Sequence, residues 1–258
     1  MYPILFSFGN FDIMTYYVMI GIGSIAGLLV LYFNIKSFPG DKKKKIYIFV
    51  LISFILVIIG SRVGYILESI LQKKPFCASI IGPGSLWWGL VLATLFAFPV
   101  ANILKVNEWE IADLFAISIS IGGFFTRLGC FFNGCCFGIP VDENFPFATY
   151  YPYTTYAGKI FQDKPIHPTP LYLAFSWLFI FVILFFYKKH KKFHGELILI
   201  MAFLFSLTNF FIEFVRYHET QNLLSVSQIF SVIIFFTSIL LYVLFKIYKI
   251  NYLRKKQD

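Results

Sequence analysis

The chain has 258 residues, 59% hydrophobic and 21% aromatic, with 14% charged and a net charge of +9. A soluble domain carries about 25% charged and about 45–50% apolar residues, so this composition and a mean hydropathy of +0.76 exclude an ordinary soluble protein and indicate one polytopic membrane domain. The basic excess does not point to nucleic acid, because it lies in short tracts beside apolar runs: Lys36 with Lys42–Lys45, Lys188 to Lys192, and Lys246 to Lys256.

Met1 to Asp12 has no basic stretch, and the apolar run at 13–33 is too long for the core of a signal peptide, so no cleaved leader is expected. Crossing the hydrocarbon core takes about 20 apolar residues. Apolar runs of that order predict transmembrane helices at 13–33, 47–69, 86–104, 109–127, 170–187, 196–215 and 226–247. The fourth is the least apolar, with Asn107, Glu108 and Glu110 at its start and Asp113 early within it. The expected fold class is therefore all-α, with seven transmembrane helices. The basic tracts after the first, fifth and seventh spans then share one side with Lys105, which by the positive-inside rule puts the C-terminus in the cytoplasm and the N-terminus outside. The segment 128–168 falls on the outer side. Its Phe145, Phe147, Tyr150, Tyr151 and Tyr153, set among prolines, suit a cap at headgroup level.

Ionisable residues inside spans are expensive, so they usually face a cavity or a partner. Arg62 in GSRVGY, Arg127 at the end of the fourth span, and Glu213 with Arg216 near the outer end of the sixth stand out. Each admits a structural reading, as a snorkelling arginine or a paired carboxylate. Arg127 opens TRLGCFFNGCCFG, where Gly129, Gly134 and Gly138 let the backbone turn and approach a bound group. Arg127 offers a permanently charged, forked donor suited to phosphate, and Asn133 adds neutral hydrogen-bonding capacity. Together they describe an anion site at the outer face, where the obvious anion is a phospholipid headgroup.

Cys130, Cys135 and Cys136 have neither the paired C-x-x-C spacing nor the clustered His of a zinc site, so no metal is expected. They read first as small buried packing residues. A disulfide from Cys77 to Cys135 or Cys136 is a second reading in an oxidising compartment, and nothing in the sequence marks a low-pKa thiol. His190 and His194 sit in the inner basic tract and His218 at the outer end of the sixth span. His167, in IHPTPLY, is equally suited to a helix start and to proton transfer.

Five segments in this order resemble those of the bacterial prolipoprotein diacylglyceryl transferase family. ILFSFGNFDIMTYYVMIGIG is similar to the family's N-terminal region, with Tyr16 at its functional Tyr. GSRVGYIL is similar to GGRLGYVL. TRLGCFFNGCCFG resembles GRIGNFINGExxG, with Arg127, Asn133 and Gly138 matching; IHPTPLY resembles RHPSQLYE, and NFFIEFVRYHE resembles the RxxxExxR stretch.

The resemblance implies an enzyme of the bacterial inner membrane, its site toward the outer leaflet, that moves the diacylglyceryl group of phosphatidylglycerol onto the lipobox cysteine of a prolipoprotein signal peptide. It implies no cofactor, no nucleic acid, membrane lipids as surroundings and a monomer. Arg127, His167 and Glu213 are the expected catalytic residues. Tyr16, Arg62, Asn133, Gly134, Gly138, Asn209 and Arg216, with Arg127, are expected to hold substrate. The chain departs from the family where Trp87 replaces the His of S-F-H-G-G, Asn209 the first Arg of RxxxExxR, Cys130 an Asn, Cys135 a Glu, and Ile166 the Arg before His167. These departures leave open a divergent member with another acceptor, or a non-catalytic lipid-binding or transport protein.

Overall fold

A computed structural model of the chain describes residues 3–8, 11–71, 86–162, 164–218 and 224–254. Cys77 and Ser85 lie outside the described residues, as does the side chain of Trp87. Long helices dominate: α1 (Thr15–Ile35), α2 (Gly40–Leu71), α3 (Leu86–Leu104), α4 (Glu108–Asn133), α6 (Thr169–Tyr187), α7 (Glu196–Ile212) and α8 (Val226–Arg254), with a short α5 (Tyr156–Phe161). Six of these, all but α3 and α5, are long and apolar enough to cross a membrane, and Val91–Leu104 within α3 is a shorter apolar stretch. The chain is an integral membrane protein.

Three features correct the sequence reading. Strands β1 (Ile4–Phe8) and β2 (Phe11–Met14) pair antiparallel before α1, so the first long helix starts at Thr15 and not at 13. Helix α2 begins at Gly40, so Lys42–Lys45 form its first turns; lysine is a good helix former, and Asp41 suits the positive end of the dipole. Helix α4 runs through Arg127 and Cys130 to Asn133, so the connection after it begins at Gly134 and not at 128.

The chain forms two compact units, Met1–Phe33 with Ala112–Asp258, and Asn34–Ile111. In the second unit α2 packs on α3 through glycine. A Cβ on Gly60 would stand 2.8 Å from Leu92 Cβ, and one on Gly89 2.6 Å from the Val57 carbonyl oxygen. Small residues let helix backbones approach where the hydrophobic effect cannot drive association. Lys42 pairs with Glu110 at 2.5 Å, and Asn107 caps α4 by accepting from the Glu110 amide at 2.9 Å.

In the first unit α1 packs on α4 by the same means, at Gly23 against Gly122 and Phe125 and at Gly27 against the Ser118 carbonyl. Ala116, Ile117, Ile180, Leu184 and Leu197 form a core between α4, α6 and α7. Asp113 is almost fully buried and caps α7 from another helix. It accepts from the amides of Gly195 (2.9 Å), Leu197 (2.8 Å) and Ile198 (3.1 Å) and pairs with Lys191 at 3.2 Å. This explains how α4 tolerates a carboxylate early in its span: the charge meets unsatisfied amides at a helix N-terminus. Glu196, also buried, accepts from the Tyr187 hydroxyl at 2.9 Å, the Tyr242 hydroxyl at 3.2 Å and the Lys192 amide. The lysine-rich loop 188–195 thus sits at the Asp113 end of α4. Arg127, fourteen residues along the helix, lies about 21 Å away at a rise of about 1.5 Å per residue.

Candidate active site

Gly138 is where three distant segments meet. Its amide donates to the His167 carbonyl at 3.0 Å, the Ile139 amide to the Val215 carbonyl at 3.0 Å, the His167 amide to the Ile139 carbonyl at 3.0 Å, and the Tyr217 amide to the Phe137 carbonyl at 3.1 Å. Gly138 and Arg216 bridge in antiparallel sense. Only glycine fits: a Cβ there would lie 2.5 Å from both His167 Cβ and the Val215 oxygen. The segments carrying Cys136, His167 and Arg216 are therefore locked together by backbone hydrogen bonds.

The approach to that crossing is set by Gly134, which turns the chain out of α4 at φ +70, with a Cβ position only 2.5 Å from Thr155 Cβ. Thr155 in turn caps α5 by accepting from the Gly158 amide at 3.1 Å. Cys136 also adopts a left-handed backbone, φ 58, and its carbonyl accepts from the Thr169 hydroxyl at 2.6 Å. A non-glycine residue in that region is uncommon and carries strain. Phe137 closes the space behind the turn, packed with Tyr151, Ala157 and Ile166 and stacked on Tyr217 at 5.6 Å.

Arg127 is half-buried on α4, one turn before Cys130. Among the described residues no carboxylate lies within ion-pair distance of its guanidinium. Tyr16 of α1 packs beside it against Gly129, whose added Cβ would stand 3.3 Å from the Tyr16 ring, and is close enough to interact electrostatically with Arg127 and the nearby thiols. Asn133 ends α4, two residues before Cys135.

Glu213 is buried and saturated. It pairs with Arg216 at 3.3 Å and His218 at 3.2 Å, and accepts from the Ser225 hydroxyl at 3.2 Å. Arg216 also lies within electrostatic reach of Cys136. His167 lies 3.1 Å through Nδ1 from the Tyr172 hydroxyl, with the Phe145 ring edge-on at 4.9 Å. Burial holds its pKa below the ordinary imidazole value.

The fold thus gathers Tyr16, Arg127, Asn133, Gly134, Gly138, His167, Glu213 and Arg216 into one unit. The buried amide of Asn209 donates to Ser227 at 3.0 Å and Ser231 at 2.9 Å, tying α7 to α8. Arg62 belongs to α2 in the other unit.

The cysteines are what sequence reasoning undervalued. Cys130, Cys135 and Cys136 carry free thiols whose sulfurs all lie within 4.8 Å of one another. Cys136 is held below the ordinary thiol range by its neighbours Cys130 and Cys135, then by Arg216 and Arg127. The available signal was one helical turn between Arg127 and Cys130, followed by a glycine able to fold the next two cysteines back.

Comparison with known proteins decides the family. The profile of the family described as prolipoprotein diacylglyceryl transferase matches residues 3–244. The chain belongs to this family. Among named relatives, the phosphatidylglycerol–prolipoprotein diacylglyceryl transferase of Campylobacter hominis is 30% identical over 244 residues, covering 85% of this chain and 80% of the relative. The enzyme of that name from Clostridium kluyveri is 33% identical over 220 residues, covering 83% and 84%. The one from Campylobacter jejuni subsp. doylei is 28% identical over 269 residues, covering 96% and 95%. As a diacylglyceryl transferase family member, the chain departs at Trp87, Asn209, Cys130 and Cys135 from the pattern its sequence resembles.

Proposed function

We propose that this protein transfers the diacylglyceryl group of phosphatidylglycerol to the lipobox cysteine thiol of prolipoproteins, releasing glycerol-1-phosphate. The observation that carries the reading is Arg127: a half-buried guanidinium without a carboxylate partner among the described residues, beside Tyr16 at the end of α4 remote from the lysine-rich loop. The protein crosses the bacterial inner membrane seven times as a monomer, α3 supplying the seventh span, with its N-terminus and site outside. The placement of Lys188, Lys189, Lys191 and Lys192 at the Asp113 end of α4 supports that orientation.

The reaction breaks the bond between a glyceryl carbon and a phosphate oxygen and forms one between that carbon and the acceptor sulfur. The electron pair leaves on the phosphate oxygen, and the thiol proton goes to a base. Arg127 stabilises the charge growing on the phosphate, the kind of preorganised electrostatic assistance that dominates many enzyme accelerations. Arg216, fixed by Glu213, adds a second cation to the same side of the site. With Glu213 accepting from three donors, His167 is the better base. It takes a proton when Nδ1–H donates to Tyr172, which leaves the Nε2 lone pair open. Asn133, Gly134 and Gly138 shape the loop, and Tyr16 lines it.

The test is reconstitution with labelled phosphatidylglycerol and a lipobox peptide. Thioether-linked diacylglyceryl peptide with released glycerol phosphate is the expected result. Lipid consumed without peptide modification points to another acceptor, and bound lipid never consumed refutes the enzymatic reading.

A further inference from the structure

We propose that Cys130, Cys135 and Cys136 form a three-sulfur site for a single thiophilic metal ion, of the monovalent copper or divalent zinc class. The spacing of these cysteines in sequence is not that of a structural zinc site, and the family function gives them no task. The tertiary fold supplies what the spacing lacks. Cys130 projects from the last turns of α4, Gly134 reverses the chain, and Cys135 and Cys136 come back onto it. The Cys135 amide donates to the Cys130 carbonyl at 3.1 Å, and the Cys135 thiol leans on that same carbonyl at 3.6 Å.

The three sulfurs already lie within 4.8 Å of one another. With metal–sulfur bonds of about 2.3 Å, sulfurs sharing one ion stand about 3.8–4.0 Å apart. From the 4.8 Å limit, the cluster needs to close by less than about 1 Å, within the reach of side-chain torsions. Three sulfur donors without a histidine or carboxylate in the set select soft ions over magnesium or calcium.

Three further side chains fit a charged thiolate–metal cluster. Tyr151 is 5% exposed, and among the described residues its hydroxyl has no hydrogen-bond partner. Its ring packs against Phe131 and Phe137, which border the cysteines in sequence, and its hydroxyl interacts electrostatically with all three thiols. A buried orphan hydroxyl is costly; a metal-bound thiolate is the acceptor it lacks. Arg216 and Arg127, both within electrostatic reach of Cys136, offset the net negative charge that three thiolates keep after binding one such ion. Such outer contacts orient ligands and tune affinity at metal sites. On binding, three S–H bonds give up their protons to solvent and three metal–sulfur bonds form, with no change of oxidation state.

The experiment uses the full chain carrying Cys77→Ala, so that only these thiols remain, purified in detergent under reductant. Cuprous ion is titrated in competition with a colorimetric chelator, and zinc ion in a parallel arm. One equivalent bound, three sulfurs at the metal by X-ray absorption, and protection of three thiols from an alkylating reagent are expected. Tyr151→Phe should weaken binding by about 10- to 100-fold, the usual effect of an outer contact, and Cys130→Ser by more. The absorption and protection measurements need no cluster variant, so a misfolded mutant does not spoil the test. Fewer than three sulfurs at the metal, unchanged affinity in Cys130→Ser, or recovery of two cluster thiols as a disulfide overturns the proposal. Diacylglyceryl transfer is not read out, so its failure and this one are separable.

Discussion

Replacing Gly138 by alanine perturbs the point where the cysteine loop, the His167 segment and the Arg216 segment cross. The new methyl group would start 2.5 Å from His167 Cβ and 2.5 Å from the Val215 oxygen, against 3.4 Å for an ordinary contact, so neighbours on both sides must retreat by about 0.9 Å. Overpacking of this kind costs about 1–3 kcal/mol. The bonds from Gly138 to His167 and from Ile139 to Val215 stretch with the retreat, at about 0.5–1.5 kcal/mol each if lost. A loss of about 2–6 kcal/mol follows. At about 2–4 °C per kcal/mol for a chain of this size, the unfolding midpoint in detergent should fall by about 4–24 °C. Turnover should suffer more than stability: shifting reacting groups by about 1 Å can cost about 100-fold, and here His167 and Arg216 move together. Thermal unfolding and lipid turnover are measured on the same preparation below the variant's midpoint. A variant with an unchanged midpoint and full turnover would show that this crossing does not hold the site.

Arg127→Ala should lower turnover about 100- to 1,000-fold, the scale of one lost charge-stabilising donor, while the thermal midpoint stays near wild type; Arg127→Lys should recover part of the rate. Burial keeps the His167 pKa below its ordinary value, so the neutral form persists above that value and is lost as pH falls through the lowered one. The acid limb of the rate profile should therefore lie below about pH 6.5, and His167→Gln should abolish that limb along with about 100- to 10,000-fold of the rate. Asn209→Ala removes two hydrogen bonds between α7 and α8 and should lower the midpoint without raising the KM for lipid. A raised KM with an unchanged midpoint would return Asn209 to the substrate site.

Hydropathy was enough to place the long helices, most of them within a few residues of their observed limits. Burial in lipid makes an apolar run a local requirement that any reader of the sequence can see. The hairpin at β1 and β2 escaped because its residues are as apolar as the span behind them. Asp113 looked like a weakness of α4 until the fold put α7's first amides against it. Arg127 was legible for the converse reason: a fixed charge at the end of an apolar helix needs a purpose wherever it points.

Local chemistry written along the chain set the membrane class, the helical framework and the residues able to meet an anion. Folding chose which of those residues meet. It gave Glu213 its three donors, withdrew Asn209 into a helix contact, set His167 beside Tyr172, and folded three cysteines onto one point. The reason is that solvation by lipid acts on each segment separately, whereas proximity across 30 or 80 residues depends on backbone turns such as Gly134 and crossings such as Gly138, whose tolerances are a few tenths of an ångström.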